Sequence, residues 1–374
     1  MAKAVYVGVG SKARKMKKAY IGIGGKARKV KKMYIGVGGK ARLCYSAELE
    51  KVGMATALST TRYDMRAATV GKYALFAGGY ISKSSFGYSV SSSVDAYNTS
   101  LTKSTPTELS CKRCGHAAAS VGGYALFAGG ASSYNILGFY ENLVSAVDAY
   151  DASLTRSAAH IIGATVAIGG AAVGNYALFA GGTVYSQINK DNVTSDVLAY
   201  DPSLTFTTAP LLSVARANVK GASAGNYALF AGGRAGSFCT TVDAYNASLT
   251  RTTATALSST KNNSAAATVG NHAIFVGNTA SADIYDASLT KTSAAILSTA
   301  RTGLAATTVG DYAIFSGGGV ADFCDASLTR SSIGTSMTGY DMGAATIGDY
   351  ALFAGGHSSE KSDTAYDSVE VYTA

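Results

Sequence analysis

Apolar residues in this chain come in short blocks separated by glycine turns, not at the three-to-four spacing of an amphipathic helix. Ala67-Ala68-Thr69-Val70 runs into Gly71-Lys72, then into Tyr73-Ala74-Leu75-Phe76-Ala77 and a second turn signal, Gly78-Gly79. Blocks of this length bounded by glycine read as strands. Glycine followed by a small polar residue between two of them marks a tight hairpin, because such turns need positive φ. The pattern returns seven times, at Tyr73 to Gly79, Tyr124 to Gly130, Tyr176 to Gly182, Tyr227 to Gly233, His272 to Asn278, Tyr312 to Gly318 and Tyr350 to Gly356.

After each glycine pair, a loop of variable length leads to a third apolar block, as at Val94 to Tyr97, Val147 to Tyr150, Val242 to Tyr245 and Val369 to Tyr372. Most of these run into Tyr-Asp-Ala-Ser-Leu-Thr, where Asp and Ser favour a turn by bonding to backbone amides. A fourth block such as Leu101 to Ser110 completes the unit. Strand-rich units at periods of roughly 40 to 50 residues predict propeller blades. The last unit ends at Ala374 without a fourth block, and Leu49 to Leu58 matches the missing one in pattern. The expectation is therefore an all-β chain: a seven-bladed propeller over residues 46–374, closed by a strand from its own N-terminal side.

These features resemble the kelch repeat. They include the glycine pair after the second strand, the aromatic ending the third, and a basic residue nine positions before the turn glycine. That residue is Arg62, Arg113, Arg216, Lys261 or Arg301, with Thr165 and Gly339 in the third and seventh units. The tryptophan common in the family's fourth strand is absent. The resemblance implies a fold and says little of function, because one fold hosts many activities. It also implies that the basic residues surround the channel mouth. There they either hold an anionic polymer or bind carbonyls and carboxylates of the blades.

Charge divides the chain in two. Thirteen of the 32 basic residues lie within residues 1–45, which contain no Asp or Glu; the remaining 19 face 23 acidic residues. Within this arm Tyr6, Tyr20 and Tyr34 recur every fourteen residues, each opening a variant of YIGVGGKARKVK whose cations include Lys12, Arg14, Lys26, Arg28, Lys40 and Arg42. Turns at Gly10-Ser11, Gly24-Gly25 and Gly38-Gly39 predict three small hairpins. Two-stranded hairpins are marginal in water, so the arm needs copies of itself or a neighbouring protein to complete it. It resembles the N-terminal segments of tail and fibre proteins of phages and prophages of Gram-positive bacteria. Nucleic-acid binding is the competing reading of such a basic segment.

The loops after the glycine pairs are long in units seven, one, two and three and very short in five and six. They carry Tyr80, Phe86, Tyr88, Tyr134, Phe139, Tyr140 and Tyr185 among Ser, Gly and Asn. Such a mixture suits an adaptable recognition surface, and the same aromatics also serve to pack loops together.

Catalytic motifs are missing from the sequence. The lone pair Cys111 and Cys114 lacks the further ligands zinc requires, so no metal or cofactor is expected. No apolar stretch reaches the length of a membrane span, and no secretory leader is legible, so membrane insertion is not expected. The combined expectation is a non-enzymatic structural and receptor-binding protein of a phage or phage-derived particle. It would be made in the host cytoplasm and carried on the particle, docking on other virion proteins through its arm and on a bacterial surface glycan or protein through its loops. An intracellular kelch interaction module and a glycan-degrading enzyme are the alternatives.

Overall fold

Only the first residue of each two-residue turn takes a positive φ, Gly71 at 53°, Gly122 at 52° and Gly174 at 53°, which is the hairpin geometry that lets a right-twisted strand fold back on itself. A computed structural model of the chain describes residues 6–9, 12–15, 19–23, 26–30, 32–37, 40–46, 48–84, 87–135, 139–184, 192–261, 265–359 and 362–374. In it every repeat is a four-stranded antiparallel sheet. The first comprises Arg66–Val70, Tyr73–Ala77, Val94–Asn98 and the short Lys103–Ser104. Seven such sheets form a β-propeller whose inner strands begin at Arg66, Ala117, Gly169, Lys220, Ala265, Ala305 and Gly343.

The ring closes as the pattern implies. In the seventh blade Gly343–Ile347, Tyr350–Ala354 and Val369–Thr373 are completed by Glu50–Ala55, with Val371 opposite Gly53 and Val369 opposite Ala55. The outer strands differ from expectation: Leu101 to Ser110 forms only the two-residue strand Lys103–Ser104, and the rest crosses over to the next blade. At the end of that crossover Ser110 is held by Asp148 of the second blade, while the Leu109 amide donates to the Ser92 carbonyl of the first.

The second strands are enclosed on both faces. Ala74, Leu75 and Phe76 have no exposed surface, and the Phe76 ring meets Tyr97 edge-on at 5.9 Å. Side chains of one blade interleave with those of the next, as Leu75 and Val94 do with Phe127 and Tyr150. Burial of each such side chain stabilises by about 1.5–3 kcal/mol. The third-strand tyrosines also reach the preceding crossover. Tyr97, Tyr150 and Tyr245 donate their hydroxyls to the carbonyls of Thr56, Thr107 and Pro210 at 2.7, 2.8 and 2.8 Å.

Around the axis the inner strands are joined by hydroxyls placed two residues before each turn glycine. Thr69 Oγ1 donates to the Thr346 carbonyl at 2.8 Å, Ser120 Oγ to Thr69 at 2.6 Å and Ser223 Oγ to Ala172 at 2.7 Å. Thr268, Thr308 and Thr346 likewise donate to Ser223, Thr268 and Thr308. The third blade carries Ala172 here, and approach of its backbone is managed by glycine instead: a Cβ at Gly170 would sit 2.5 Å from the Ala118 carbonyl oxygen, and one at Gly221 2.1 Å from that of Gly170.

The basic arm contains the three expected hairpins, Tyr6–Val9 with Lys12–Lys15, Tyr20–Ile23 with Lys26–Lys29, and Lys32–Val37 with Lys40–Ser46. Their glycine turns lie outside the described residues. Each pair stands as its own two-stranded sheet, and Ile21 and Tyr34 are exposed.

A chain starting at Thr56 lacks the strand that closes the seventh blade. Its melting temperature is expected to fall by more than about 5 °C, with early proteolysis between residues 357 and 374. An unchanged melt would show that closure contributes nothing.

Candidate functional site

Six of the seven third strands carry a carboxylate that is turned into the blade and held there. Asp95, Asp148 and Asp243 have at most 1% exposure, and each accepts from a buried arginine: Arg62 at 2.5 Å, Arg113 at 2.5 Å and Arg216 at 2.9 Å. Lys261 pairs with Asp283 at 3.4 Å and Arg301 with Asp322 at 2.5 Å. A second cation from the outer strand faces the same carboxylates, as Arg156 does Asp148 at 2.8 Å and Arg251 does Asp243 at 3.5 Å. The backbone amide of Ser59, Ser110 or Ser298, at the end of the incoming crossover, adds a bond of 3.1, 3.1 or 2.9 Å.

The arginines also bind carbonyls. Arg62 Nη1 donates to Gly78 at 3.1 Å and Ser93 at 2.6 Å, and Arg216 Nε to Gly232 at 2.8 Å. The carbonyl of the same residue receives the second glycine amide of the preceding blade: Gly356 to Arg62 at 2.8 Å, Gly79 to Arg113 at 2.9 Å, Gly182 to Arg216 at 3.0 Å. One residue thus ties two blades. The assignment of Arg62, Arg113, Arg216, Lys261 and Arg301 to an anionic polymer is corrected here. Arg62, Arg113 and Arg216 have no exposed surface to offer, Lys261 has 5%, and Arg301 is committed to Asp322.

The third blade lacks the clamp entirely, and the seventh keeps only part of it. In the third blade, Thr165 stands for the arginine, Leu198 for the carboxylate and Phe206 for the outer cation, and Phe206 stacks on His160 at 4.5 Å. In the seventh blade, Gly339 replaces the arginine, and the longer Glu370 reaches Lys51 of the closing strand at 2.5 Å, with Tyr372 donating at 2.8 Å.

Above this ring, the long loops build a platform. Tyr80–Ser84 and Gly87–Val90 of the first blade join Ala131–Tyr134 and Tyr140–Leu143 of the second in one four-stranded sheet, and His357–Ser359 with Ser362–Ala365 forms a neighbouring hairpin on the seventh. Tyr80, Tyr88, Tyr134 and Tyr140 come together beneath it, with ring centroids 4.9–5.5 Å apart. Tyr80 is buried against Tyr63 and therefore serves as platform core, a correction to its assignment as a contact residue; Tyr88, Tyr134 and Tyr140 are half-buried. Phe139 is half-buried beside the turn, where its amide donates to Asn135 Oδ1 at 3.1 Å. Phe86 and Tyr185 lie outside the described residues, as does half of the third-blade loop. Burial pushes the Cys114 thiol beneath the cluster up to about 12, so it stays protonated.

Beside the platform lies the channel mouth. Arg66 Nε donates to the His116 carbonyl at 2.9 Å, and its Nη1 meets Asp64 Oδ1 at 2.7 Å. The Asp64 amide donates to the Asp341 carbonyl at 2.7 Å, and Asp341 Oδ2 is 3.1 Å from His357 Nε2. Lys220 enters the same cavity of about 210 Å³, whose wall includes Gly170 and Gly221. Burial lowers the Lys220 pKa, the Arg66 charge adds to that, and Asp64 and Asp341 oppose it. Among the described residues, no group of three His, Cys, Asp or Glu side chains is placed to hold a metal, and no helix is long and apolar enough to cross a membrane.

No protein-family model and no curated protein matches the chain. Among solved structures it is similar to YjhT, with a TM-score of 0.54 and 13% sequence identity over 86% of this chain and 99% of that one. At that identity the likeness shows the fold. The expectation that the chain is not an enzyme is withdrawn: a likeness at this identity shows the fold alone, and a fold by itself sets no activity aside.

Two predictions follow from the buried charges. Arg216→Ala leaves Asp243 without its inner partner and is expected to cost about 3–5 kcal/mol in urea denaturation. The triple variant Arg216→Thr, Asp243→Leu, Arg251→Phe copies the third blade and is expected within about 1 kcal/mol of the parent; equal instability of both variants would refute the clamp. His116 is fully buried, and burial, reinforced by Arg113 and Arg66, holds its pKa well below the ordinary value. The unfolded chain therefore binds the extra proton first, and stability should fall as pH drops below about 6.5, by up to about 1.4 kcal/mol per pH unit. His116→Gln should flatten that slope.

Proposed function

We propose that the chain is a structural and recognition component of a phage or phage-derived particle, docked through residues 1–45 and presenting its platform to a bacterial surface glycan or protein. The observation that carries the recognition half is the break in symmetry. The first and second blades spend chain on one added sheet and the seventh on a neighbouring hairpin, whereas the fifth and sixth have almost no loop, so one side of a single face is built up. Tyr88, Tyr134 and Tyr140 are only partly buried in its tyrosine cluster, and Lys83 lies 5.2 Å from the Tyr88 ring. Rigid aromatic area beside small polar residues supports binding by stacking and hydrogen bonds.

The docking half is supported by the arm. Its hairpins have no third strand among the described residues, and Ile21 and Tyr34 are 53% and 57% exposed, a surface that assembly with copies or neighbours would cover. Weak glycan sites gain from such multiplicity through avidity.

A second reading, that the face also acts on its glycan, is favoured by Asp64 and Asp341. These carboxylates of adjacent blades are both held at positive φ, 51° each, at the channel mouth.

One adsorption experiment tests the reading. Particles carrying the chain with Tyr88→Ser and Tyr134→Ser are expected to lose at least tenfold in adsorption to host cells while the isolated chain keeps its fold. Unchanged adsorption, or finding the chain only as a soluble monomer apart from any particle, would overturn it. Release of reducing ends from host wall polysaccharide, abolished by Asp341→Asn, would establish the second reading.

A further inference from the structure

The first residue of each inner strand lines the cavity at the channel mouth, and in five of the seven blades it is small. It is Ala117, Gly169, Ala265, Ala305 and Gly343 in the second, third, fifth, sixth and seventh blades. The first and fourth blades break this rule with Arg66 and Lys220, and both side chains line one cavity of about 210 Å³. Packing does not require either: small residues occupy the equivalent sites without loss of the strand. Two cations set into a wall of otherwise apolar residues are a local addition to a structural repeat.

Their bonding differs. Arg66 is partly engaged, by the His116 carbonyl and by Asp64, and its Nη2 has no hydrogen-bond partner among the described residues. Lys220 makes no hydrogen bond and no ion pair among the described residues. Asp64 is matched by Arg66, and Asp341 lies against His357. The Lys220 ammonium thus stands in the cavity without a direct partner, with Asp64 and Asp341 acting on it only through space. At roughly 30 Å³ per water, the space holds several waters or one small ion.

We propose that the channel mouth is a binding site for a small oxyanion, a carboxylate or phosphate group, held by the Lys220 ammonium and the Nη2 side of Arg66. Arginine supplies a directional donor and lysine a point charge, the pairing that suits an anion with several acceptor oxygens.

Titration of the full chain with inorganic phosphate, with acetate and with neutral glucose, followed by calorimetry, tests this. Saturable binding of phosphate or acetate is expected, and the tighter of the two identifies the group. Lys220→Ala, which restores the residue found in three other blades, should keep the parent's melting temperature and weaken binding at least tenfold. Lys72→Ala, an exposed lysine at a hairpin turn, should change nothing. The proposal fails if neither anion saturates at millimolar concentration, if glucose binds equally well, or if Lys220→Ala binds as the parent does.

Discussion

The propeller depends on placing a carboxylate inside six of its seven blades and surrounding it with cations. A buried charge without a partner is strongly destabilising, so each such third strand holds its crossover and its outer strand in one position. Arg62, Arg113 and Arg216 serve this carboxylate and two or more carbonyls of their own blade, while their backbones receive the glycine amide of the blade before. The glycine pair is part of the same device. Gly78 and Gly79 take φ of 64° and 97°, and a Cβ on the first would lie 2.6 Å from the Arg113 carbonyl oxygen. Clamp, turn and blade contact form one constraint repeated around the axis.

The third blade shows that the constraint has an apolar equivalent. Thr165, Leu198 and Phe206 replace all three charged groups together, and none of the charges survives alone. The seventh blade shows a rearranged version in which Glu370 recovers a partner from the closing strand. Both exceptions leave the ring intact, and neither coincides with the channel-mouth cations. Recognition, as proposed, is added to a scaffold whose stability is settled elsewhere.

The fold was legible because its signals are local: turn glycines, strand blocks and the unpaired last unit each point to the next element in chain order. Closure by Glu50–Ala55 followed from counting strands. The clamp was half legible. Its basic residues stood out at a fixed distance from the turn glycine, whereas their partners were hidden inside Val-Asp-Ala-Tyr blocks, where Asp95 reads as a solvent-facing strand residue. Its absence at Leu198 together with Thr165 was the available signal. The platform aromatics were found as a set, but burial of Tyr80 depends on sheet pairing between two loops 50 residues apart, which no local pattern encodes. Arg66 and Lys220 were missed because their significance appears only when the inner strands are lined up around an axis.

Arginine side-chain NMR on the labelled chain measures the central constraint directly. The account predicts separately resolved, slowly rotating η protons for Arg62, Arg113 and Arg216 at neutral pH, as fixed donors to buried carboxylates and carbonyls require. Signals for these three that are averaged and exchange rapidly, as for a solvated guanidinium, would contradict it.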